Sequence, residues 1–289
     1  MNKLLLISHI VPSYINTDEK LMIGDAIRLL LAAKILLKYN IETDLCFSKD
    51  IYNIIQLSDI QYFLPPSTKI YNESIFTSLD FFPQYDNVIY ADNPCFWPII
   101  KKKYSLPEID LLWSCEEPIQ MKTIAKNLVS NLLIQIGITH SLEYDCTNNF
   151  KEKRVGLNYI VPFQWKTKSP PKDLWNLLFE TLLEKDYQPS WQEGENNIKQ
   201  YLKWLKNQNV IITANTLGFH LAMLFEKGII LLSGSTWCEE SSWLSKEYVF
   251  EPKHCELYPC YQKECPVQNS CFKTLSINDI LERVNLCFQ

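Results

Sequence analysis

The chain has 289 residues, and its hydrophobic fraction of 47% with 21% charged residues is ordinary for a soluble globular protein. Its formal net charge of −5 argues against a nucleic-acid-binding protein, which would usually present a basic field. With only 7 glycines, the sequence contains neither a Gly-x-Gly-x-x-Gly fingerprint nor a Walker sequence. The apolar stretch 4–10 is too short for a signal peptide, and no window reaches the ~18 apolar residues of a membrane-spanning helix. We expect a cytoplasmic protein without a transmembrane segment, with peripheral contact to the inner face of the inner membrane as a further option.

The first half of the chain alternates strand and helix patterns. Its first strand is predicted at 4–8, and after a polar insert a helix begins near Gly24 and Asp25 and runs to about Tyr39. An aspartate at the start of a helix is either a cap or a carboxylate available as a general base. The remaining predicted elements are strands at 41–47 and 86–90, an edge segment at 69–71, helices at 51–57 and 121–135, and a loop at 91–98.

The second half begins at the charged run 151–154 and continues the alternation. A strand is predicted at 155–161, a helix at 172–185 and another helix at 195–206. The loop between the first two contains Lys166 and Lys168, which are either solvated surface charges or, at a strand end, point charges for a phosphate. Because both halves alternate, we expect two α/β domains, 1–150 and 151–289, each Rossmann-like and facing the other across a cleft.

The most informative stretch is 209–237, which reads as strand 210–213, helix 217–227 and strand 228–232. In such a βαβ unit the strands are parallel, so the turn after the first strand lies at the carboxyl edge of the sheet, where ligands bind. The helix N-terminus there favours a phosphate or pyrophosphate. The candidate site is therefore the segment from Asn215 to His220. The alternative is that Asn215 and Thr216 only cap the helix and that His220 packs in the core.

Four cysteines crowd into one C-terminal loop, at Cys255, Cys260, Cys265 and Cys271. Their spacing permits a structural four-thiolate zinc or iron site, disulfides, or packed free thiols. After them, Ser276 with Asp279 predicts the capped start of a final amphipathic helix at 277–286.

Three loops of the chain, in order, resemble those of glycosyltransferase family 9, the heptosyltransferase-like enzymes of bacterial lipopolysaccharide biosynthesis. The family's Gly-Asp turn is similar to Gly24 and Asp25, and its lysine ahead of a proline and a helix is similar to Lys168. Its Asp-Thr-Gly-x-x-His and Gly-Pro-Thr motifs correspond to the stretches 215–220 and 234–236. Many members also end in a cysteine-rich loop and a final helix.

This resemblance implies a GT-B fold and inverting transfer of a sugar from a nucleotide-diphospho-sugar, such as ADP-heptose, to a glycan, glycolipid or protein acceptor. The resemblance also implies that no cofactor or divalent metal takes part in the chemistry. By resemblance Asp25 is the general base. The donor would be bound by Lys168, Asn215, Thr216, Gly218 and His220.

The chain departs from the family pattern in two places. Asn215 replaces the motif aspartate, which leaves open a catalytically silent relative that still binds a nucleotide sugar. Between 185 and 195 there is little room for the strand-and-loop unit that usually supplies an acidic donor contact. A third alternative is an interaction protein stabilised by a metal at the cysteine loop.

Overall fold

The computed structural model describes residues 2–7, 23–58, 60–77, 81–90, 101–102, 111–113, 152–161, 163–236, 247–252, 255–267 and 270–289. The chain divides into two compact units, Met1–Leu142 and Glu143–Gln289. Each unit contains a parallel β-sheet with helices. The predicted domain boundary at residue 150, the helix at 121–135 and the loop at 91–98 lie outside the described residues.

The first unit contains a parallel sheet with the strand order β3-β2-β1-β4-β5. Its strands are β1 (Asn2–Ile7), β2 (Ile41–Phe47), β3 (Ile70–Asn72), β4 (Asn87–Tyr90) and β5 (Leu111–Trp113), and its helices are α1 (Ile23–Leu37) and α2 (Lys49–Leu57). Helix α1 is apolar on nearly every side, and its residues from Ala26 to Ala33 are buried apart from Arg28. A helix with this pattern has to lie inside the unit, where it packs along β2.

The second unit contains a parallel sheet with the strand order β10-β9-β8-β6-β7. Its strands are β6 (Arg154–Asn158), β7 (Gln188–Trp191), β8 (Val210–Thr213), β9 (Gly228–Leu232) and β10 (Glu247–Phe250), and its helices are α3 (Lys172–Glu184), α4 (Ile198–Lys206), α5 (Leu217–Leu224) and α6 (Ile277–Cys287). The core is formed by buried apolar side chains of the central strands together with Trp175, Leu178 and Ile280 from the helices.

The central strands of this sheet were predictable because they are continuous β-branched runs. The bounds of β8 and β9 are those predicted, and the two strands pair in parallel with α5 between them along the chain. Between 185 and 195, where little room for a strand-and-loop unit was predicted, the structure has the four-residue strand β7, which pairs with β6. Strand β7 contains Pro189, which is tolerated at the edge of a sheet and hides the strand pattern.

Helix ends follow local backbone chemistry. Helix α5 ends at Leu224 instead of 227, and Glu226 has the positive φ of 56° typical of a chain leaving a helix. Helix α4 starts at Ile198 instead of 195, because Asn197 accepts a hydrogen bond from the Gln200 amide as its N-cap. The predicted cap of α6 is confirmed: Ser276 Oγ accepts a hydrogen bond from the Asp279 amide. None of the helices in the described ranges has the length and apolarity needed to cross a bilayer.

Candidate functional site

The sheet of the second unit has a topological switch point between β6 and β8. From β6 the chain moves to β7 on one side, and it then returns to β8 on the other side of β6. In open α/β sheets the crevice outside the carboxyl ends of the strands at such a point is where ligands bind. Strand β6 ends there with Asn158 and β8 ends there with Thr213, which lie side by side in the parallel register.

A buried hydrogen-bond network lies at this point. Asn158 is 1% exposed, and its Nδ2 donates to Thr213 Oγ1 at 2.8 Å and to Thr216 Oγ1 at 3.1 Å. Its Oδ1 accepts a hydrogen bond of 2.7 Å from the Tyr201 hydroxyl of α4. Burial raises the pKa of Tyr201, which keeps the phenol protonated as a donor. Both N–H groups and the oxygen of the Asn158 amide are therefore hydrogen-bonded inside the protein.

This network holds the first turn of α5. Thr216 occupies the N-cap position, but its side chain makes no capping hydrogen bond because its hydroxyl accepts from Asn158 instead. The amide of Phe219 donates to the Thr216 carbonyl at 3.0 Å. The amides of Leu217 and Gly218 are first-turn groups that have no carbonyl partner within the helix. An anion at this end would receive those N–H groups and the positive end of the helix dipole.

Gly218 is required by close packing. A Cβ at this position would collide with the Asn158 amide and the Tyr201 hydroxyl. The absence of a side chain allows α5 to approach the network, and this is a packing role that the sequence did not predict.

His220, in the same helix, is 5% exposed, and its ring lies edge-on to Phe219 with centroids 5.1 Å apart. Donor contacts by Asn215, Gly218 and His220 stay predictions.

Lys168 lies after the carboxyl end of β6, in the 3₁₀ segment Phe163–Lys168. Its ammonium group lies 4.8 Å from the centroid of the Trp165 ring, a cation–π contact. The carbonyl of the preceding Thr167 accepts a hydrogen bond of 3.2 Å from the amide of Ser235, in the loop that follows β9. The fold thus connects the loop that carries Lys168 with the loop that carries Ser235, and the α5 turn on β8 lies between them in the sheet order.

Asp25 lies in the first turn of α1, the helix that follows β1 along the chain. In the first sheet β1 and β4 are neighbours, and the switch point lies between them. Helix α1 follows β1 along the chain, so it follows one of the two strands at this switch point. The side chain of Asp25 lies outside the described part of the structure.

The four cysteine thiols of the C-terminal loop are reduced and half-buried. Burial, together with the nearby Cys255, Cys265 and Cys260 and a hydrogen bond with Cys255, raises the pKa of Cys271 to about 12. The loop therefore places the other three thiols near Cys271. Within the described ranges, however, no three His, Cys, Asp or Glu side chains are arranged so that they could hold a metal ion.

Sequence reasoning missed the roles of Asn158, Tyr201 and Thr167. Asn158 carried a readable signal, because a lone amide ends an otherwise apolar buried strand. Tyr201 and Thr167 gave none, since their partners lie 43 and 68 residues away in sequence.

No protein-family profile and no curated protein sequence matches this chain. Among solved structures it is similar to a family 9 glycosyl transferase from Veillonella parvula, with a TM-score of 0.62 at 10% identity, covering 99% of this chain and 97% of that one. It is also similar to the E. coli heptosyltransferase WaaC bound to ADP-2-deoxy-2-fluoro heptose, with a TM-score of 0.58 at 10% identity, covering 98% and 99%. A third is TibC from enterotoxigenic E. coli, an iron-containing dodecameric glycosyltransferase, with a TM-score of 0.55 at 12% identity, covering 99% of this chain and 76% of that one.

These matches span nearly the whole chain and therefore include both parallel sheets. At identities near 10% they speak for the fold, and the predicted GT-B class is confirmed. The chain has the GT-B fold of glycosyltransferase family 9 and the heptosyltransferases, as a divergent sequence.

Proposed function

We propose that this protein is an inverting glycosyltransferase that moves a sugar, heptose or a close relative, from a nucleotide-diphosphate donor to a glycan, glycolipid or protein acceptor of a bacterium. The observation that carries the proposal is the N-terminus of α5, which the buried Asn158 network holds at the switch point of the second sheet. Support for the donor class comes from the shared fold with WaaC, whose structure contains an ADP-heptose analogue.

The chemistry needs one base and one site for the leaving group. Asp25 would accept the proton of an acceptor hydroxyl as that oxygen bonds to the anomeric carbon of the sugar. The bond from the anomeric carbon to the diphosphate breaks in the same step, and its electron pair leaves with the nucleoside diphosphate. Lys168 and the first-turn amides of Leu217 and Gly218 would stabilise the charge on that leaving group. No cofactor is assigned to this reaction.

The proposal predicts selective nucleotide binding that depends on Lys168. Calorimetric titration with ADP, UDP, GDP and ADP-heptose should show one preferred base at micromolar affinity. Lys168→Ala should weaken it about 10- to 100-fold, since a charge-assisted contact contributes ~1.5–3 kcal/mol. Lys166→Ala is the matched control, because Lys166 is an exposed lysine of the same 3₁₀ segment.

The outcomes separate the alternatives. Absence of binding by the wild-type protein would contradict the transferase and favour an interaction protein. Binding without nucleotide release in the presence of acceptor would favour the silent relative, for which Asn215 in place of an aspartate is the motivating observation.

We further propose that the four-cysteine loop holds a structural metal ion, zinc or iron. The support is the presence of four free thiols in one short loop, Cys255, Cys260, Cys265 and Cys271, with Cys255 hydrogen-bonded to Cys271. The similar fold of iron-containing TibC agrees with it. Four thiolates would fill every position of a tetrahedral ion, whose chemistry there would be to crosslink the loop.

Elemental analysis should therefore find close to one zinc or iron per chain, and Cys260→Ser should lose it. Cys46→Ala, which removes a thiol from the first unit, should keep it. A protein that binds neither Zn²⁺ nor Fe²⁺ after anaerobic reconstitution would contradict the metal site.

A further inference from the structure

The cysteine loop is hydrogen-bonded to the loops at the carboxyl edge of the second sheet. The connection passes through Thr167, which is 8% exposed and directly precedes Lys168. Its hydroxyl donates to the carbonyl of Gln262, a residue between Cys260 and Cys265. The segment that carries Lys168 is therefore attached to the loop that carries the thiols.

Ser235 completes the connection. Its Oγ lies 2.9 Å from Thr167 Oγ1, and because the single Thr167 proton goes to Gln262, Ser235 must be the donor in this pair. The Ser235 amide donates to the Thr167 carbonyl at 3.2 Å, and the Ser235 carbonyl accepts from the Tyr261 amide at 2.9 Å. Ser235 has no exposed surface, and in this ring of four hydrogen bonds the bond between its hydroxyl and the Thr167 hydroxyl is buried.

Two further contacts join the β9 loop to the Lys168 segment and to the cysteine loop. A Cβ at Gly234 would collide with the Thr167 carbonyl and would lie 2.8 Å from Lys168 Cα, so the two strand-end loops touch through their backbones. The Tyr258 hydroxyl, at the start of the cysteine loop, lies 3.1 Å from Ser233 Oγ. The cysteine loop thus contacts the β9 loop at Ser233 and at Ser235.

We propose that Thr167 is a positioning residue: through it the cysteine loop holds the Lys168 segment and the β9 loop in the arrangement that binds the donor diphosphate. This inference rests on the proposed function. Loss of the Thr167 hydroxyl would leave the buried Ser235 hydroxyl without its acceptor and would remove the bond to the Gln262 carbonyl. The segment Phe163–Lys168 would then shift, and Lys168 would be present but misplaced.

Thr167→Val tests the proposal, because valine keeps the shape and removes both hydrogen bonds. The dissociation constant of the best-binding nucleotide should rise about 10-fold. Amide exchange at Tyr261 in the nucleotide-free protein should accelerate by a similar factor, since its hydrogen bond belongs to the same ring. Thr167→Ser should restore both values. Thr181→Val is the matched control, because that hydroxyl donates to the Leu177 carbonyl on an exposed face of α3.

Ser235→Ala is a milder variant that removes one bond of the ring, and it serves if Thr167→Val does not fold. Wild-type nucleotide affinity in either folded variant, or unchanged exchange at Tyr261, would overturn the inference while leaving the transferase intact. A wild-type protein that binds no nucleotide would instead remove the proposed function, and the positioning role with it.

Discussion

Replacing Asp25 by asparagine is expected to lower kcat by ~10²–10⁴-fold, the usual contribution of a positioned general base. Asparagine has nearly the same shape but cannot accept the proton of the acceptor hydroxyl. Nucleotide affinity should stay unchanged, because the donor diphosphate is assigned to residues of the second unit. Nucleotide release from the donor in the presence of acceptor, measured beside calorimetric binding, separates the two effects.

A matched control distinguishes the base from an ordinary helix-terminal charge. Asp173 also lies in the first turn of a helix, α3, and its side chain is exposed. Asp173→Asn removes the same favourable interaction with a helix dipole, ~0.3–1 kcal/mol of stability, without touching the assigned chemistry. Full transfer activity in Asp25→Asn would contradict the assignment of Asp25 as the base. An equal loss of activity in both variants would mean that Asp25 acts only by stabilising its helix.

Much of the fold was predictable from local patterns. Strands β8 and β9 and the start of α5 follow from two apolar runs, a polar turn and a helical period, and a parallel βαβ unit places their turn at the ligand edge. Short edge strands were not predictable in this way. Strands β7 and β10 have four residues each and few purely apolar positions, and only pairing with a longer neighbour makes them strands.

The sequence predicted where in the fold the candidate site lies, but it did not predict the long-range hydrogen bonds around that site. Asn215, Thr216 and Lys168 could be placed at strand ends from the sequence, whereas the contacts that hold them come from residues far away in the chain. Tyr201 reaches Asn158 across 43 residues, and Gln262 reaches Thr167 across 95. Such contacts depend on helix and loop packing, for which a single sequence carries no periodic signal.

Gly218→Ala is expected to destabilise the second unit by about 3 kcal/mol, even though alanine is normally the better helix residue by ~1 kcal/mol. The new methyl group would occupy the space of the Asn158 amide and the Tyr201 hydroxyl. Either the helix shifts outward or these groups lose their buried hydrogen bonds. For a unit of this size the melting temperature should fall by roughly 6–12 °C, since 1 kcal/mol corresponds to ~2–4 °C.

A double-mutant cycle with Asn158→Ala shows whether the clash is the cause. Asn158→Ala alone leaves the hydroxyl of Tyr201 buried without its acceptor and should also be destabilising. It removes the amide against which the methyl group collides, however, so the double variant should be more stable than the sum of the single losses by at least ~1 kcal/mol. Strictly additive losses would mean that Gly218 does not need its close contact with Asn158. Nucleotide affinity should fall in both single variants if the proposed donor site is correct, because each change displaces the first turn of α5, whose amides are proposed to bind the diphosphate.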